Sequence, residues 1–153
     1  MTITTTTSRM DYIAGGGVGD VTFPYTFKIL EDSDLKVYVT LVLKTLNVDY
    51  SVTGAGVAGG GNVVFATAPV ALAAVALVRD SPLTQETDYV DLDKFPAEIH
   101  ETALDKLTMI AQEQEQHIDT LEATIASYEA DPVTRPWIMS SDYATPTGAN
   151  AAA

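Results

Sequence analysis

The chain contains no cysteine, few basic residues and no long apolar run. The absence of cysteine excludes disulfides, thiol nucleophiles and cysteine-based zinc sites. The longest apolar stretch, Val70 to Val78, is about half as long as a membrane-spanning helix. Residues Met1 to Arg9 are polar and rich in threonine, without the basic and apolar regions of a signal peptide. The sequence therefore predicts a soluble protein without disulfides.

Positive charge is scarce in this chain. Eight Lys and Arg stand against twenty-one Asp and Glu in 153 residues, for a formal net charge of −13. Such a charge repels phosphate backbones and anionic lipid surfaces. We therefore expect neither nucleic acid nor a membrane as a partner. Hydrophobic residues make up 46% of the chain, enough for one folded domain with an appendage.

The first half of the chain has the composition of a β-domain. Short runs rich in Val, Thr, Tyr and Phe are separated by glycine or aspartate clusters up to Arg79, a pattern typical of strands and turns. Apolar and polar residues alternate from Leu35 to Thr40, which indicates a sheet with one solvent-facing side. We predict a small antiparallel β-sandwich of about six strands over residues 1–80. The candidate strands are 4–14, 20–27, 35–43, 49–52, 62–67 and 74–79.

A helix is predicted after this domain. The polar, acidic residues 81–95 predict an irregular connector. Pro96 suits the first turn of a helix, and Glu98 and Glu101 lie near its positive end. No glycine or proline follows until Pro132, so the helix is predicted over 96–130. The fold class is therefore mostly β with a long C-terminal helix.

The helix carries a heptad pattern, and we name its apolar row the seam. The seam holds Leu104, Ala111, Ile118 and Ile125 at heptad position a, and Leu107, Gln114, Leu121 and Tyr128 at position d. This alternating spacing of three and four residues favours helix association. Met109 and Ile110 widen the apolar stripe in the first half, which predicts packing of that half on the β-domain and of the second half on sister chains. A purely intramolecular helix remains the alternative, and the pattern does not determine the number of strands.

Residues 131–153 form the last predicted segment, rich in Pro, Ser, Thr and Ala. Such a composition predicts an extended tail without its own core. Trp137 and Ile138 are its large apolar residues, and they are the candidate partner-binding handle.

One glycine motif matches a cofactor signature by letter. Residues Gly54 to Gly59 fit G-x-G-x-x-G, which in a dinucleotide site must lead directly into a helix whose dipole holds the pyrophosphate. Here Gly60, Gly61 and Asn62 follow, and then the β-branched pair Val63-Val64. The motif is therefore interpreted as a hairpin loop, and no cofactor is expected.

The remaining polar residues do not form a recognisable active site. His100-Glu101 begins like H-E-x-x-H, but position 104 is leucine, so the zinc pair is absent. Asp88, Asp91, Asp93 and Glu98 form a carboxylate cluster but lack the glycine and final glutamate of a calcium loop. We therefore predict no catalytic residue and no metal, and the protein is not expected to be an enzyme.

Several motifs in order carry a resemblance to a known family. They are Arg9 to Tyr12, Phe23 to Phe27, Asp34 to Val39, Asp49 to Gly54, Val78 to Asp80, Pro82 to Tyr89, Phe95 to Glu98 and Ala103 to Met109. As a set, over about residues 9–128, they resemble the amino-terminal virion-attachment domain of tail fibres and tailspikes of short-tailed bacteriophages.

This resemblance implies a structural virion protein located in the phage tail and assembled in the cytoplasm of the bacterial host. It implies a homotrimeric anchor or adaptor whose β-domain binds the tail tube or adaptor collar proteins. The helices would lead into a fibre or a separately encoded tailspike. Whether the chain is a stand-alone adaptor or part of a longer fibre stays open. Two other functions remain alternatives: a glycan-binding receptor-recognition module, and a glycan hydrolase that uses Asp88, Asp91 or Glu98.

Overall fold

The computed structural model describes residues 3, 5–17, 20–85, 87 and 97–130. Within them the chain forms seven strands, one short 3-10 turn and one helix. The chain divides into two compact units, Met1–His117 and Ile118–Ala153. The elements are β1 (Arg9–Ile13), β2 (Thr22–Tyr25), the 3-10 turn (Asp32–Asp34), β3 (Leu35–Val39), β4 (Val42–Leu43), β5 (Tyr50–Thr53), β6 (Gly61–Phe65), β7 (Ala74–Arg79) and α1 (Ala97–Ala130).

The strands form two antiparallel sheets around one core. The four-stranded sheet has the order β1-β7-β3-β4, and the three-stranded sheet has the order β2-β6-β5. Buried residues from both sheets belong to a single hydrophobic cluster, among them Val37 and Leu77 from one sheet and Phe23 and Val63 from the other. This arrangement confirms the predicted fold class of a mostly antiparallel β protein with a long helix.

The alternation of side chains explains the core. Phe23, Tyr25 and Phe27 are all buried, whereas Thr22, Pro24 and Thr26 between them are exposed, as the two-residue period of an extended chain requires. The Phe23 ring meets the Phe65 ring edge-on, with 5.5 Å between centroids. The two-residue period therefore places all three aromatic side chains in the core.

The predicted strand 35–43 is two strands in the structure. β3 ends at Val39 and β4 begins at Val42, and the two residues between them, Thr40 and Leu41, have φ of 48° and 66°. Two consecutive positive φ values close a tight antiparallel hairpin. The sequence concealed this turn because neither residue is the glycine or asparagine that usually marks it. The first strand is also shorter than predicted, since β1 begins at Arg9 rather than at residue 4.

The glycine motif forms the loop of the β5–β6 hairpin, as predicted. Gly60 has φ of 80°, and a Cβ on it would collide with the carbonyl oxygen of Tyr25. Its N–H donates to the carbonyl of Val57 at 3.1 Å. The glycine is therefore required by backbone geometry.

Gly60→Ala should lower the free energy of unfolding by at least about 2 kcal/mol, because the new methyl group meets both a positive φ and a backbone atom. Gly59→Ala is the matched control, since a Cβ there has open space and no positive φ. Urea denaturation of both variants measures the difference. Equal stabilities would contradict the geometry of this loop.

The core tyrosines predict a loss of stability in alkali. Burial, with a smaller contribution from the charge of Asp32, raises the pKa of Tyr25 to about 12, against about 10 in an unfolded chain. Between these values the unfolded state loses the phenol proton and the folded state keeps it, so stability falls as pH rises from 10 to 12. The expected slope is on the order of 1 kcal/mol per pH unit. Tyr25→Phe should reduce the slope measured by denaturation at pH 9, 10 and 11, although it also loses the hydrogen bond to the Thr53 carbonyl.

Candidate interaction surface

Helix α1 is bound to the β-sandwich through one face of its first part. Met109 and Asp105 are buried on this face, one helical turn apart. Gln112, Glu113 and Gln116 continue it and are partly buried. We name these five residues the docking face. The prediction that the first half of the helix packs on the β-domain is confirmed.

Arg79 is the centre of the contact between sandwich and helix. It ends β7, where it continues the inward-facing row of Val75 and Leu77, and its side chain has no exposed surface. Its Nε donates to Glu113 Oε1 at 2.7 Å, and its Nη2 donates to Gln112 Oε1 at 2.8 Å and to the carbonyl of Met109 at 3.3 Å. Its Nη1 donates to the carbonyl of Lys28 at 3.1 Å.

The buried guanidinium of Arg79 is surrounded by groups that compensate its positive charge. Burial lowers the pKa of Arg79, while the hydrogen bond and charge of Glu113 act in the opposite direction. The guanidinium carbon also lies 5.7 Å from the centre of the Phe27 ring, within the range of a cation–π contact. A buried guanidinium with this many acceptors binds the helix in one register, because a shift along the helix would leave its donors unpaired.

Glu113 links the helix to the start of the connector as well. Its Oε2 accepts from the backbone N–H of Ser81 at 3.0 Å, and its Oε1 accepts from the Ser81 hydroxyl at 2.7 Å. Ser81 is buried. The Glu113 carboxylate on the helix therefore binds both Arg79, at the end of β7, and Ser81, at the start of the connector.

A second buried ion pair lies nearer the beginning of the helix. Lys28 Nζ lies 2.7 Å from Asp105 Oδ2, and both side chains are about nine-tenths buried. Each charge is costly to bury alone and is compensated by the other. Among the described residues, no buried side-chain nitrogen or oxygen is left without a hydrogen-bond partner.

The amino-terminal residues also contact the docking face. The Ser8 hydroxyl donates to Gln116 Oε1 at 3.0 Å, and Gln112 Nε2 donates to the carbonyl of Thr5 at 2.8 Å. The carbonyl of Ser8 accepts from the N–H of Arg79 at 2.9 Å. The segment before β1 is thus bound to both the helix and β7.

The seam residues of the first unit lie on the other side of this helix. Each residue advances by about 100° around the axis, so the docking face is opposite Leu104, Leu107, Ala111 and Gln114. All four are exposed, and the side chain of Leu107 is 64% exposed. The seam residues of this unit are therefore not buried against the sandwich.

The second unit presents the rest of the seam. Every residue from Ile118 to Ala130 is exposed. Ile118, Leu121, Ile125 and Tyr128 have exposed fractions between 49% and 61%. A row of exposed large apolar side chains on one helix face is a candidate interaction surface.

Apart from Met109, sequence reasoning missed the residues of the docking face and their partners. Arg79 carried a signal, because the alternation that buries Val75 and Leu77 places it on the same side of β7. Lys28 and Asp105 carried none, since 77 positions separate them. Gln112 and Gln116 likewise look like ordinary polar helix residues in the sequence.

Other candidate residues lie outside the described part or are exposed. Trp137, Ile138, Asp88, Asp91 and Asp93 are outside the described residues, and Glu98 is exposed. Among the residues that the structure describes, no three His, Asp or Glu side chains converge as metal ligands would. No helix in that part of the chain is long and apolar enough to cross a bilayer.

The amino-acid sequence of this chain is similar to part of a known protein. No family model matches the chain. The tail spike protein of Salmonella phage epsilon15 aligns with it at 42% identity over 118 residues. The chain is similar to a bacteriophage tailspike.

The alignment covers most of this chain but only a small part of the tailspike. It covers 74% of the chain but 11% of that tailspike, so the chain spans about a tenth of its relative's length. The resemblance predicted from the sequence is confirmed, and the homology to a tailspike supports a structural role in a phage tail.

Proposed function

We propose that this chain is the anchoring module of a bacteriophage tailspike or tail fibre, and that three copies associate through the seam. One observation carries the proposal: the helix is docked on the sandwich by one face and leaves its heptad row exposed on the other. A helix arranged in this way can hold its own β-domain and sister helices at the same time. The similarity to a tailspike supplies the setting.

The charges that flank the seam favour parallel association. Glu101, Glu115, Glu122 and Glu129 all occupy heptad position e, whereas position g holds Ala103, Ile110, His117 and Thr124. In a parallel coil position e faces position g of the neighbour, so each glutamate meets a residue that is not acidic. In an antiparallel coil e faces e, and the glutamates would repel each other. Parallel helices place all β-domains at one end, as an anchor requires.

Three linked β-domains would bind a tail with an avidity that one lacks. In this proposal the sandwich binds the tail tube or adaptor collar proteins, and Trp137 and Ile138 remain the predicted handle for a downstream fibre or spike. The module itself has no enzymatic role. Its assembly in the host cytoplasm and its location in the virion belong to the same proposal.

Absolute solution mass, measured by light scattering after size exclusion, tests the association. We expect about three times 16.3 kDa. A mass of 16.3 kDa at micromolar concentration would overturn association through the seam.

Attachment is tested by cosedimentation of the purified chain with tails of the phage that encodes it, prepared without this protein. We expect saturable binding. Absence of binding, together with a positive signal for the chain on a glycan array, would favour the alternative of a glycan-binding receptor-recognition module.

A further inference from the structure

A group of exposed apolar side chains lies at the end of the sandwich away from Arg79. β7 runs from Ala74 at this end to Arg79 beneath the helix, a distance of about 17 Å for five steps along an extended strand. We name the group the apolar end. It consists of Ile13, Leu41, Val42, Val48, Val70 and Leu72, each at least half exposed.

Backbone pairing brings these residues together. Ile13 is paired with Ala74 across the sheet. The N–H of Leu72 donates to the carbonyl of Ala14 at 2.8 Å, and the N–H of Thr40, next to Leu41, donates to the carbonyl of Ala74 at 2.8 Å. Neighbouring strands lie about 5 Å apart, so the leucines belong to one surface. Isolated exposed apolar residues are ordinary, but a contiguous group indicates a binding surface.

A groove of about 340 Å³ opens on the same surface. Val39, Val48, Phe65 and Val70 line its apolar part, and Lys44 and Asp49 line its polar part. The carboxylate of Asp49 accepts from the backbone N–H of Thr45 at 2.7 Å. The groove can therefore receive an apolar side chain from another protein.

The two most exposed leucines are held in unfavourable backbone conformations. Leu41 has φ of 66° and Leu72 has φ of 64°, and their side chains are 95% and 82% exposed. Glycine or asparagine would be more stable at such positions. Neither leucine gains burial in return, so folding does not account for them. Strained residues that present apolar side chains to solvent are a feature of binding sites.

The charge of the chain identifies the kind of partner. The charged side chains in segments 13–17, 20, 40–50 and 66–74 are Asp20, Lys44 and Asp49, so this end is almost neutral in a chain of net charge −13. Association between copies is assigned to the seam in the proposed function, and an acidic surface of another protein would be repelled by this acidic chain. A neutral or basic protein surface avoids this repulsion.

We propose that the apolar end is the surface through which this chain docks on a neutral or basic tail protein, with Leu41 and Leu72 inserted into apolar pockets of that protein. This inference rests on the proposed anchoring function and specifies where the anchor binds. The helix docks at the opposite end of β7, so tail binding and self-association do not compete.

The test is the double variant Leu41→Asn with Leu72→Asn. Asparagine tolerates positive φ, so the variant should be at least as stable to urea as the wild type and should keep its solution mass. Its affinity for tails that lack this protein should fall on the order of 100-fold, as the loss of two buried leucines implies. Leu83→Asn is the matched control, because Leu83 is 75% exposed and lies outside the apolar end.

Different outcomes separate the two proposals. If the wild type fails to bind tails, the anchoring function itself is wrong. If the wild type binds and the double variant binds equally well, the apolar end is not the docking surface. If the wild-type mass exceeds three chains and the double variant reduces it, a second copy occupies the surface and the proposed partner is wrong.

Discussion

Replacing Leu121 and Ile125 by aspartate is expected to reduce the solution mass of this protein to that of one chain, 16.3 kDa. Both side chains are about half exposed, so the chain itself loses little packing when they change. In an assembled coil, by contrast, each substitution would bury a carboxylate between apolar neighbours, at a cost of several kcal/mol per chain. Light scattering measures the mass, and far-ultraviolet circular dichroism should show that the β-sheet signal is unchanged.

The matched control is Ala123→Asp with Ala126→Asp. It adds the same charge to the same exposed stretch of α1, but at heptad positions f and b, away from the seam. This variant should keep the wild-type mass. An unchanged mass in the Leu121 and Ile125 variant, or equal dissociation of both variants, would contradict association through the seam.

The largest effect on folding is expected for Arg79→Leu. The substitution leaves the Glu113 carboxylate, whose side chain is 12% exposed, without its cationic partner, and it removes the donors to the carbonyls of Lys28 and Met109. Breaking one partner of a buried ion pair typically costs about 3–5 kcal/mol. Urea denaturation should show a loss of this size, with partial loss of helix signal before the sheet unfolds.

Arg9→Leu is the matched control, because it makes the same substitution at an exposed ion pair. Arg9 forms an ion pair with Asp11 at 2.8 Å, and both side chains are more than one-third exposed. Exposed pairs contribute about 0–1 kcal/mol, so this variant should be nearly as stable as the wild type. If Arg79→Leu cost no more than Arg9→Leu, the helix would not be held by the buried arginine.

The main divisions of the protein could be predicted from local pattern. Strands are visible in the alternation of Phe23, Tyr25 and Phe27, because a two-residue period buries one side of an extended chain. The helix is visible because its sequence lacks glycine and proline and repeats apolar residues every three or four positions. The hairpin at Thr40 and Leu41 was not visible, because its residues are not those that favour positive φ.

The seam illustrates how pattern and structure complement each other. Its spacing predicts association, but spacing alone also allows the same residues to pack on the sandwich. The structure separates these alternatives within Ala97–His117, since Asp105 and Met109 face the sandwich and Leu104 and Leu107 do not. Association through the seam and the number of associating chains both stay predictions.

The sequence by itself determined the class of the fold, the position of the helix and its heptad period, because these depend on neighbours within a few residues. Only the tertiary structure decided which side of the helix docks, that Arg79 is buried beneath it, and that Lys28 pairs with Asp105. These depend on contacts between residues far apart in the chain, for which no local period exists. It also decided that Leu41 and Leu72 share one surface, because strand order and register, rather than composition, bring separate turns together.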